Sequence, residues 1–277
     1  MPTVTPRTDV VVIEPVLGRR HTVRKWIATA ALSLAVLTPV FFMVAAVGTR
    51  LGLWSLRTGF GTLSRNLGPK LMILTLVVGI VALLLGLFLK PRRKRAITAG
   101  AVAIVVPLIG MIYGQSVAAK ADRLPFIHDV TTDTQDPPVF AGKILAERAK
   151  VERVNTLDYV GKRDTREEKL VSVLQARDYA DIRPVISEDS PEVAFARAKD
   201  VAEDMGWAIK DSDPDAGTIE ATATTFWYGF KDDVAIRIRP GTGGGSVVDV
   251  RSVSRVGGSD LGANADRIRD FVDAFKR

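Results

Sequence analysis

The chain has no cysteine among its 277 residues. This absence excludes disulfide bonds, cysteine-ligated zinc sites and thiol catalysis. Histidine is also scarce, because only His21 and His128 are present. Zinc sites usually need more His or Cys ligands, and no Ser-His-Asp set is recognisable in the sequence. We therefore expect no bound cofactor.

Acidic residues are nearly missing from the first 119 positions, which contain Asp9 and Glu14 against 14 lysines and arginines. From Lys120 onward there are 24 basic and 29 acidic residues. The overall net charge of +7 therefore comes from basic residues beside apolar segments. This distribution does not indicate a nucleic-acid partner.

Charge is absent from three long segments, residues 26–49, 71–89 and 96–119, which contain 24, 19 and 24 residues. A helix that crosses the ~30 Å hydrocarbon core needs about 20 such residues. The sequence therefore predicts a transmembrane region at 26–119, with the lipid bilayer as partner and helices at about 26–48, 71–89 and 96–117. Because none of these segments contains Asp, Glu, Lys, Arg or His, they are typical of a tether rather than a transport pathway.

The charges that flank the three segments predict their orientation. Five basic residues lie in the N-terminal tail, 1–25, and five more in the second loop, 90–95. The positive-inside rule places both in the cytoplasm, although four basic residues in the first loop oppose this mildly. Three crossings then put a soluble domain, 120–277, on the periplasmic or extracellular side of the inner (plasma) membrane.

Two further features of the membrane region carry predictions. In the loop 50–69, apolar residues at three- and four-residue spacing predict an amphipathic helix in the membrane interface, namely Leu53, Leu56, Phe60, Leu63 and Leu67. The glycines at 59 and 61 favour an irregular loop instead. Gly110 and Gly114 fit a small-xxx-small pattern, so this face of the third helix is the candidate surface for a homo-oligomer.

The soluble domain is predicted to be α+β. Helices are indicated near 142–151 and 165–178, from Ser190 to Gly206, and from Ser259 or Asp260 onward. Strands are indicated at 207–210, 218–230, 234–239 and 246–256. This order predicts an antiparallel four-stranded sheet packed by helices on one face.

Strand alternation predicts which side chains share a face of this sheet. Val234, Ile236 and Ile238 should face the helices, which leaves Arg237 and Arg239 on the opposite, open face. A hairpin centred on residue 243 places Arg237 opposite Asp249 as a cross-strand ion pair. Residues before 190 are the obvious cover for the open face.

Several motifs resemble a known bacterial family. They are IHD at 127–129, TD at 132–133, DPP at 136–138, YADI at 179–182, AEDMGW at 202–207, EAT at 220–222, FWYGFKDD at 226–233, DVRSVSR at 249–255 and SDLGAN at 259–264. Together they are similar to the domain of unknown function 1499, DUF1499, over nearly the whole soluble domain. Relatives also have membrane helices ahead of the domain and a segment like RLGLW at 50–54. The resemblance implies a membrane-anchored envelope protein and no particular reaction.

Two candidate ligand-binding sites follow from the residues. Arg251 and Arg255, with the backbone amides after residues 257–258, could hold an anion at the start of the last helix, or they could be structural. Phe226 and Tyr228 share the open face with Arg237 and Arg239 in the predicted sheet. This surface would bind a lipid, a glycan or a partner strand, unless the aromatic cluster at 226–230 is simply core.

A metal site is the alternative. His128, Asp129 and Asp133 could supply imidazole and oxygen ligands, whereas Asp beside Pro-Pro more often forms turns and caps. The first functional hypothesis is therefore a non-catalytic envelope module that binds a protein, lipid or cell-wall component. The second is a metal-assisted hydrolase of an envelope substrate that uses His128, Asp129 and Asp133. A third is a structural subunit of a membrane complex.

Overall fold

The structure, a computed structural model, describes residues 17–277. Most of the predicted N-terminal tail, up to residue 16, lies outside the described residues. The chain forms two compact units. The first contains the described residues up to Ala45 together with Arg57–Tyr113, and the second contains Ala46–Leu56 together with Gly114–Arg277.

Three helices are long and apolar enough to cross a membrane: α1 (Leu17–Arg50), α2 (Gly68–Phe88) and α3 (Lys94–Arg123). The protein is therefore a membrane protein. The helices continue past the charge-free segments because their basic flanks are also helical. At 1.5 Å per residue, the 34 residues of α1 span about 50 Å, which exceeds the ~30 Å hydrocarbon core.

The first loop contains a π-helix, Arg57–Leu67. The hydroxyl of Thr62 donates to the Arg57 carbonyl at 3.5 Å, and that of Ser64 donates to the Gly59 carbonyl at 3.0 Å. Both acceptors lie five residues back along the chain. The segment is thus helical, with a wider turn than the three- and four-residue spacing of its apolar residues assumes.

Small residues let the membrane helices approach closely in the first unit. Gly100 in α3 lies so near α2 that a Cβ there would be 2.5 Å from the Leu83 nitrogen. Thr38 and Thr75 add a buried hydroxyl–hydroxyl bond of 2.8 Å between α1 and α2. Gly110 lies against the Met72 sulfur of the same chain. The homo-oligomer stays a prediction.

The soluble domain contains one antiparallel sheet with six strands, where four were predicted. The strands are β1 (Asp129–Thr131), β2 (Val185–Ser187), β3 (Ala208–Asp213), β4 (Thr218–Thr224), β5 (Lys231–Pro240) and β6 (Ser246–Ser254). The long strands follow the order β6-β5-β4-β3, and β1 and β2 both pair with β6. The two missed strands contain three residues each, too few to show a two-residue period.

Four helices complete the domain: α4 (Gly142–Arg148), α5 (Val171–Asp178), α6 (Pro191–Asp204) and α7 (Ala263–Phe275). The main core lies between α6, α7 and one face of the sheet. It includes Ala194, Ala198, Ile219, Ala221, Val234, Ile236, Ile238, Val248, Val250, Ile268 and Phe271. The predicted inward face of β5 is therefore confirmed.

The other face of the sheet is covered rather than open. Ile144 of α4 and Phe140, which lies just before α4, pack on Ala235 of β5 and Val253 of β6. Helices thus lie on both faces of the sheet, whereas helices on one face alone were predicted. The residues before 190 provide this cover, as their position in the sequence indicated.

The fourth strand ends earlier than predicted, at Thr224 instead of Phe230. Beyond Thr224 the chain turns, because Tyr228 and Gly229 both have positive φ angles of 61° and 65°. The aromatic and threonine content of residues 218–230 indicated a continuous strand. Positive φ at two successive positions is incompatible with one.

Candidate functional site

Thr225 builds the turn between β4 and β5, which we call the aromatic turn (residues 225–230). Its amide donates to the Phe230 carbonyl at 2.9 Å, and its hydroxyl donates to the Trp227 carbonyl at 2.8 Å. The Phe230 amide donates back to the same hydroxyl at 3.0 Å. These bonds hold the intervening residues in a closed loop at the end of the sheet.

The aromatic turn presents two large apolar side chains at the domain surface. Phe226 is 71% exposed and Trp227 is 53% exposed, and their rings contact edge to face with centres 5.0 Å apart. The interpretation of this cluster as core is therefore wrong for these two residues. An exposed aromatic pair on an ordered turn is typical of a binding surface.

Arg50, the last residue of α1, belongs to the same compact unit and holds the aromatic turn. Its guanidinium donates to the carbonyls of Thr225 and Phe226 at 2.7 and 3.0 Å. It also lies 5.5 Å from the centre of the Phe226 ring, in cation–π geometry. A Cβ on Gly229 would lie 3.4 Å from the Arg50 Cα, so the backbones approach closely here.

Arg251, the first predicted anion ligand, is buried on the face of the sheet that α4 covers, which we call the second face. Only 2% of the residue is exposed, and its guanidinium binds the Asp129 carboxylate through bonds of 2.7 and 3.0 Å. It lies between the rings of Phe140 and Tyr159, at 5.4 and 5.7 Å from their centres. Its remaining donors bind backbone carbonyls, including that of Leu157 at 2.6 Å. The side chain is therefore fully engaged within the domain.

Arg255, the second, is 4% exposed and binds Asp233 through bonds of 2.7 to 3.0 Å. Arg148 from α4 binds the same carboxylate at 2.7 Å. Glu147 also accepts from Arg255, at 2.8 Å, and from Lys210, at 2.7 Å. These two hydrogen bonds lower the pKa of Glu147 to about 2. This network joins α4 to the sheet.

The start of the last helix, where the anion was expected, is occupied by the chain itself. Asp260 accepts from the amides of Gly262 and Asn264, each at 2.9 Å. Burial raises the pKa of this carboxyl above its usual value. A cap of this kind uses the backbone donors that an anion would need, so the structural interpretation of Arg251 and Arg255 is favoured.

Arg237 and Arg239 lie on the second face, as predicted. Arg237 pairs in register with Asp249, and the guanidinium–carboxylate distance is 3.0 Å, which confirms the predicted ion pair. Arg239 binds the same carboxylate at 2.7 Å. Both also reach Asp133, and Arg237 binds Asp136 at 2.9 Å. These arginines fasten the segment after β1 to the sheet, and neither belongs to the aromatic turn.

The three residues of the proposed metal site point to separate partners. Asp129 binds Arg251, whereas Asp133 accepts from the amides of its own turn at 135 and 136. The His128 ring contacts the Gly258 carbonyl at 3.2 Å and the Lys162 amine at 3.0 Å. Across residues 17–277, no group of three His, Asp or Glu side chains is arranged to hold a metal ion. The geometry gives the metal interpretation no support.

Two shallow cavities lie in the soluble domain. One, of about 380 Å³, is lined by residues 181–185 and α7, and its lining includes the Asp181–Arg269 ion pair. The other, of about 300 Å³, lies at the base of the aromatic turn and is lined by Met205, Trp207, Thr225, Arg267 and Asp270. The second cavity extends the exposed surface of the turn toward α7.

A family model described as "Protein of unknown function (DUF1499)" matches residues 129–275, more than half of the chain. The chain belongs to the DUF1499 family. The DUF1499 match begins at the first residue of β1 and ends at the last residue of α7, so it includes the complete sheet and the aromatic turn. The resemblance seen in the motifs is thereby confirmed. A comparison with curated proteins finds no match.

Proposed function

We propose that this protein is a membrane-tethered, non-catalytic binding module of the bacterial cell envelope. In this proposal the DUF1499 domain lies on the periplasmic or extracellular side of the inner membrane and binds its partner through the aromatic turn. The observation that carries the proposal is the exposure of Phe226 and Trp227 on an ordered turn. Exposed contiguous apolar patches on a protein surface often mark interaction sites.

The pairing of the charged residues supports a non-catalytic role. Arg251 and Arg255 are nearly inaccessible, and their carboxylate partners come from the same domain. A substrate anion would have to displace Asp129 or Asp233, which leaves a buried charge without a partner at a cost of several kcal/mol. These groups therefore stabilise the fold and are poorly placed for acid–base or electrostatic catalysis.

The charges along the sequence support the proposed location. Lys and Arg residues cluster in the N-terminal tail and in the loop before α3, and the positive-inside rule favours a cytoplasmic position for both. The three apolar helices then carry the domain to the opposite side. The segments 26–49, 71–89 and 96–119 contain no Asp, Glu, Lys, Arg or His, which favours a tether over a transport pathway.

Site-specific photocrosslinking in cells tests the proposal. A photoreactive phenylalanine analogue replaces Phe226 in the full chain, and a matched chain has it at Ile186, which is 73% exposed on β2. We expect a discrete adduct, with protein or lipid, from position 226 alone. Equal adduct patterns from both positions, or none from either, would overturn the aromatic turn as the binding surface.

A further inference from the structure

The membrane boundary can be located on the DUF1499 domain through Arg50. This residue ends the charge-free segment 26–49, so a membrane-spanning α1 would place Arg50 near one edge of the hydrocarbon core. Arg50 also donates to the carbonyls of Thr225 and Phe226 within one compact unit. The aromatic turn would then lie at the level where apolar chains give way to lipid headgroups.

The chemistry of the turn fits that level of the bilayer. Tryptophan and other amphipathic aromatics are enriched at membrane–water interfaces, where the ring contacts acyl chains and the polar edge stays hydrated. The guanidinium of Arg50 contacts the exposed Phe226 ring, and the exposed Lys231 directly follows the turn. Basic groups at this depth attract lipid phosphates. Leu51 and Leu53, both exposed, follow Arg50 in the same unit.

The size of the patch favours lipid over a protein partner. Two aromatic rings that are partly exposed offer roughly 300 Å² of apolar surface. A standard protein interface buries about 800 Å² on each partner. A bilayer accepts a small projecting wedge without a complementary surface, since its acyl chains adapt to the inserted side chain.

We propose that the aromatic turn binds phospholipid of the membrane that anchors the chain, with Phe226 and Trp227 inserted at the boundary between headgroups and acyl chains. This inference rests on the proposed function and names its partner. It makes the turn a second membrane contact of the DUF1499 domain, in addition to the covalent connection through α3. It does not depend on which side of the membrane the domain occupies.

The absence of cysteine makes a direct test available. The full chain with Trp227→Cys is labelled with an environment-sensitive fluorophore and placed in nanodiscs that contain spin-labelled phospholipid. The matched control is Ile186→Cys, an exposed apolar position at the opposite end of the sheet. The eight residue steps of β5 from Lys231 to Arg239 separate the two ends by about 26 Å. Phe226→Cys gives a second, independent reading of the turn.

We expect blue-shifted emission and strong quenching by spin-labelled lipid at positions 226 and 227, and water-like, unquenched emission at 186. Size-exclusion profiles and melting curves that match the parent chain show that the variants are folded. Blue-shifted but unquenched emission at 227 means burial in protein, which overturns the lipid inference and leaves the binding module intact. Water-like emission at 227, together with no crosslinked adduct at 226, overturns both. Equal quenching at 186 and 227 overturns the selective role of the turn.

Discussion

Asp233 is the shared acceptor of two buried guanidinium groups, those of Arg148 and Arg255. The hydroxyl of Thr222 donates to the same carboxylate at 2.9 Å. The carboxylate is completely buried, so water cannot replace a guanidinium partner that is lost. Removing one partner of such a group is far more costly than the pair is worth, because the remaining charge stays buried.

Asp233→Ala should therefore lower the free energy of unfolding by about 3–5 kcal/mol. Urea unfolding of the full chain in detergent, followed by tryptophan fluorescence, measures this change. The matched control, Asp215→Ala, removes an exposed carboxylate in the turn before β4 and should change stability by less than about 0.5 kcal/mol. Equal unfolding midpoints for the two variants would show that Asp233 is not a structural centre.

His128 should make the stability of the domain depend on pH. Burial and the adjacent Lys162 ammonium lower the pKa of His128 below 6.5, although the Gly258 carbonyl and Asp129 oppose this. The unfolded chain regains the usual pKa and therefore binds a proton first as the pH falls. The stability from neutral His128 is thus present above pH 6.5 and is lost as the pH falls below it.

Melting curves of the full chain at about pH 7.5 and about pH 5.5 measure this dependence. We expect a lower melting temperature at the acidic pH, and a smaller difference for His128→Gln. His21 is present in both chains, so the comparison isolates His128. Identical differences for parent and variant would assign the pH dependence to other groups.

Side-chain partners were predictable only where the two residues lie close together in the sequence. The Arg237–Asp249 pair follows from a hairpin with one defined centre, so strand alternation sufficed. Asp129 and Arg251 are separated by 122 positions, and no local rule relates them. Arg251 therefore resembled a free anion ligand in the sequence. In the structure it is buried, because β1 pairs with β6 and brings Asp129 to it.

At the scale of elements, periodicity succeeded where elements were long. The α6 and α7 helices and strands β4, β5 and β6 are long enough to be found from their repeats, and the apolar face of β5 was assigned correctly. The aromatic turn was missed because its residues favour strands individually. Its left-handed backbone at Tyr228 occurs in a residue type that rarely adopts it.

The contact between α2 and α3 depends on glycine. At Gly100 a Cβ would meet the backbone of Leu83 and the carbonyl of Gly79, at 2.5 and 2.8 Å, so relief requires a shift of a whole helix. Gly114 lies in the same helix, and a Cβ there would meet no neighbouring atom within 4 Å. Substitution of Gly114 therefore changes helix propensity alone, whereas substitution of Gly100 also changes the packing of α3 against α2.

Gly100→Ala should destabilise the helix pair by about 1–3 kcal/mol through overpacking. Gly114→Ala should be neutral or slightly stabilising, because alanine favours helix. Thermal aggregation of the full chain in detergent ranks the parent and both variants. If Gly100→Ala aggregates at the same temperature as Gly114→Ala, close approach at residue 100 is not required.

At the scale of the whole molecule, the basic half and the acidic half of the sequence correspond to different tasks. The 14 basic residues of the first 119 positions flank the apolar segments with only two acidic residues among them, whereas the domain balances its 24 basic residues with 29 acidic ones. Composition was therefore sufficient to predict the membrane helices, and the structure finds three helices of suitable length. The orientation of these helices rests on loop charge alone.

Single cysteines in the full chain test that orientation. Ile186→Cys lies in the DUF1499 domain, and Arg92→Cys lies in the basic loop between α2 and α3. A membrane-impermeant maleimide applied to intact spheroplasts should label the first and reach the second only after permeabilisation. The reverse pattern would place the domain in the cytoplasm and contradict the proposed envelope location.

The Asp129–Arg251 ion pair has a consequence for how far the domain can travel. Because the buried guanidinium needs its counter-ion, the fold begins no later than Asp129, and α3 ends at Arg123. Ile127 is already buried in the core, so the four residue steps from Arg123 to Ile127 connect the two and, fully extended, span about 14 Å. The domain therefore stays close to the end of α3, and in the proposed function its binding partner has to reach it at the membrane surface.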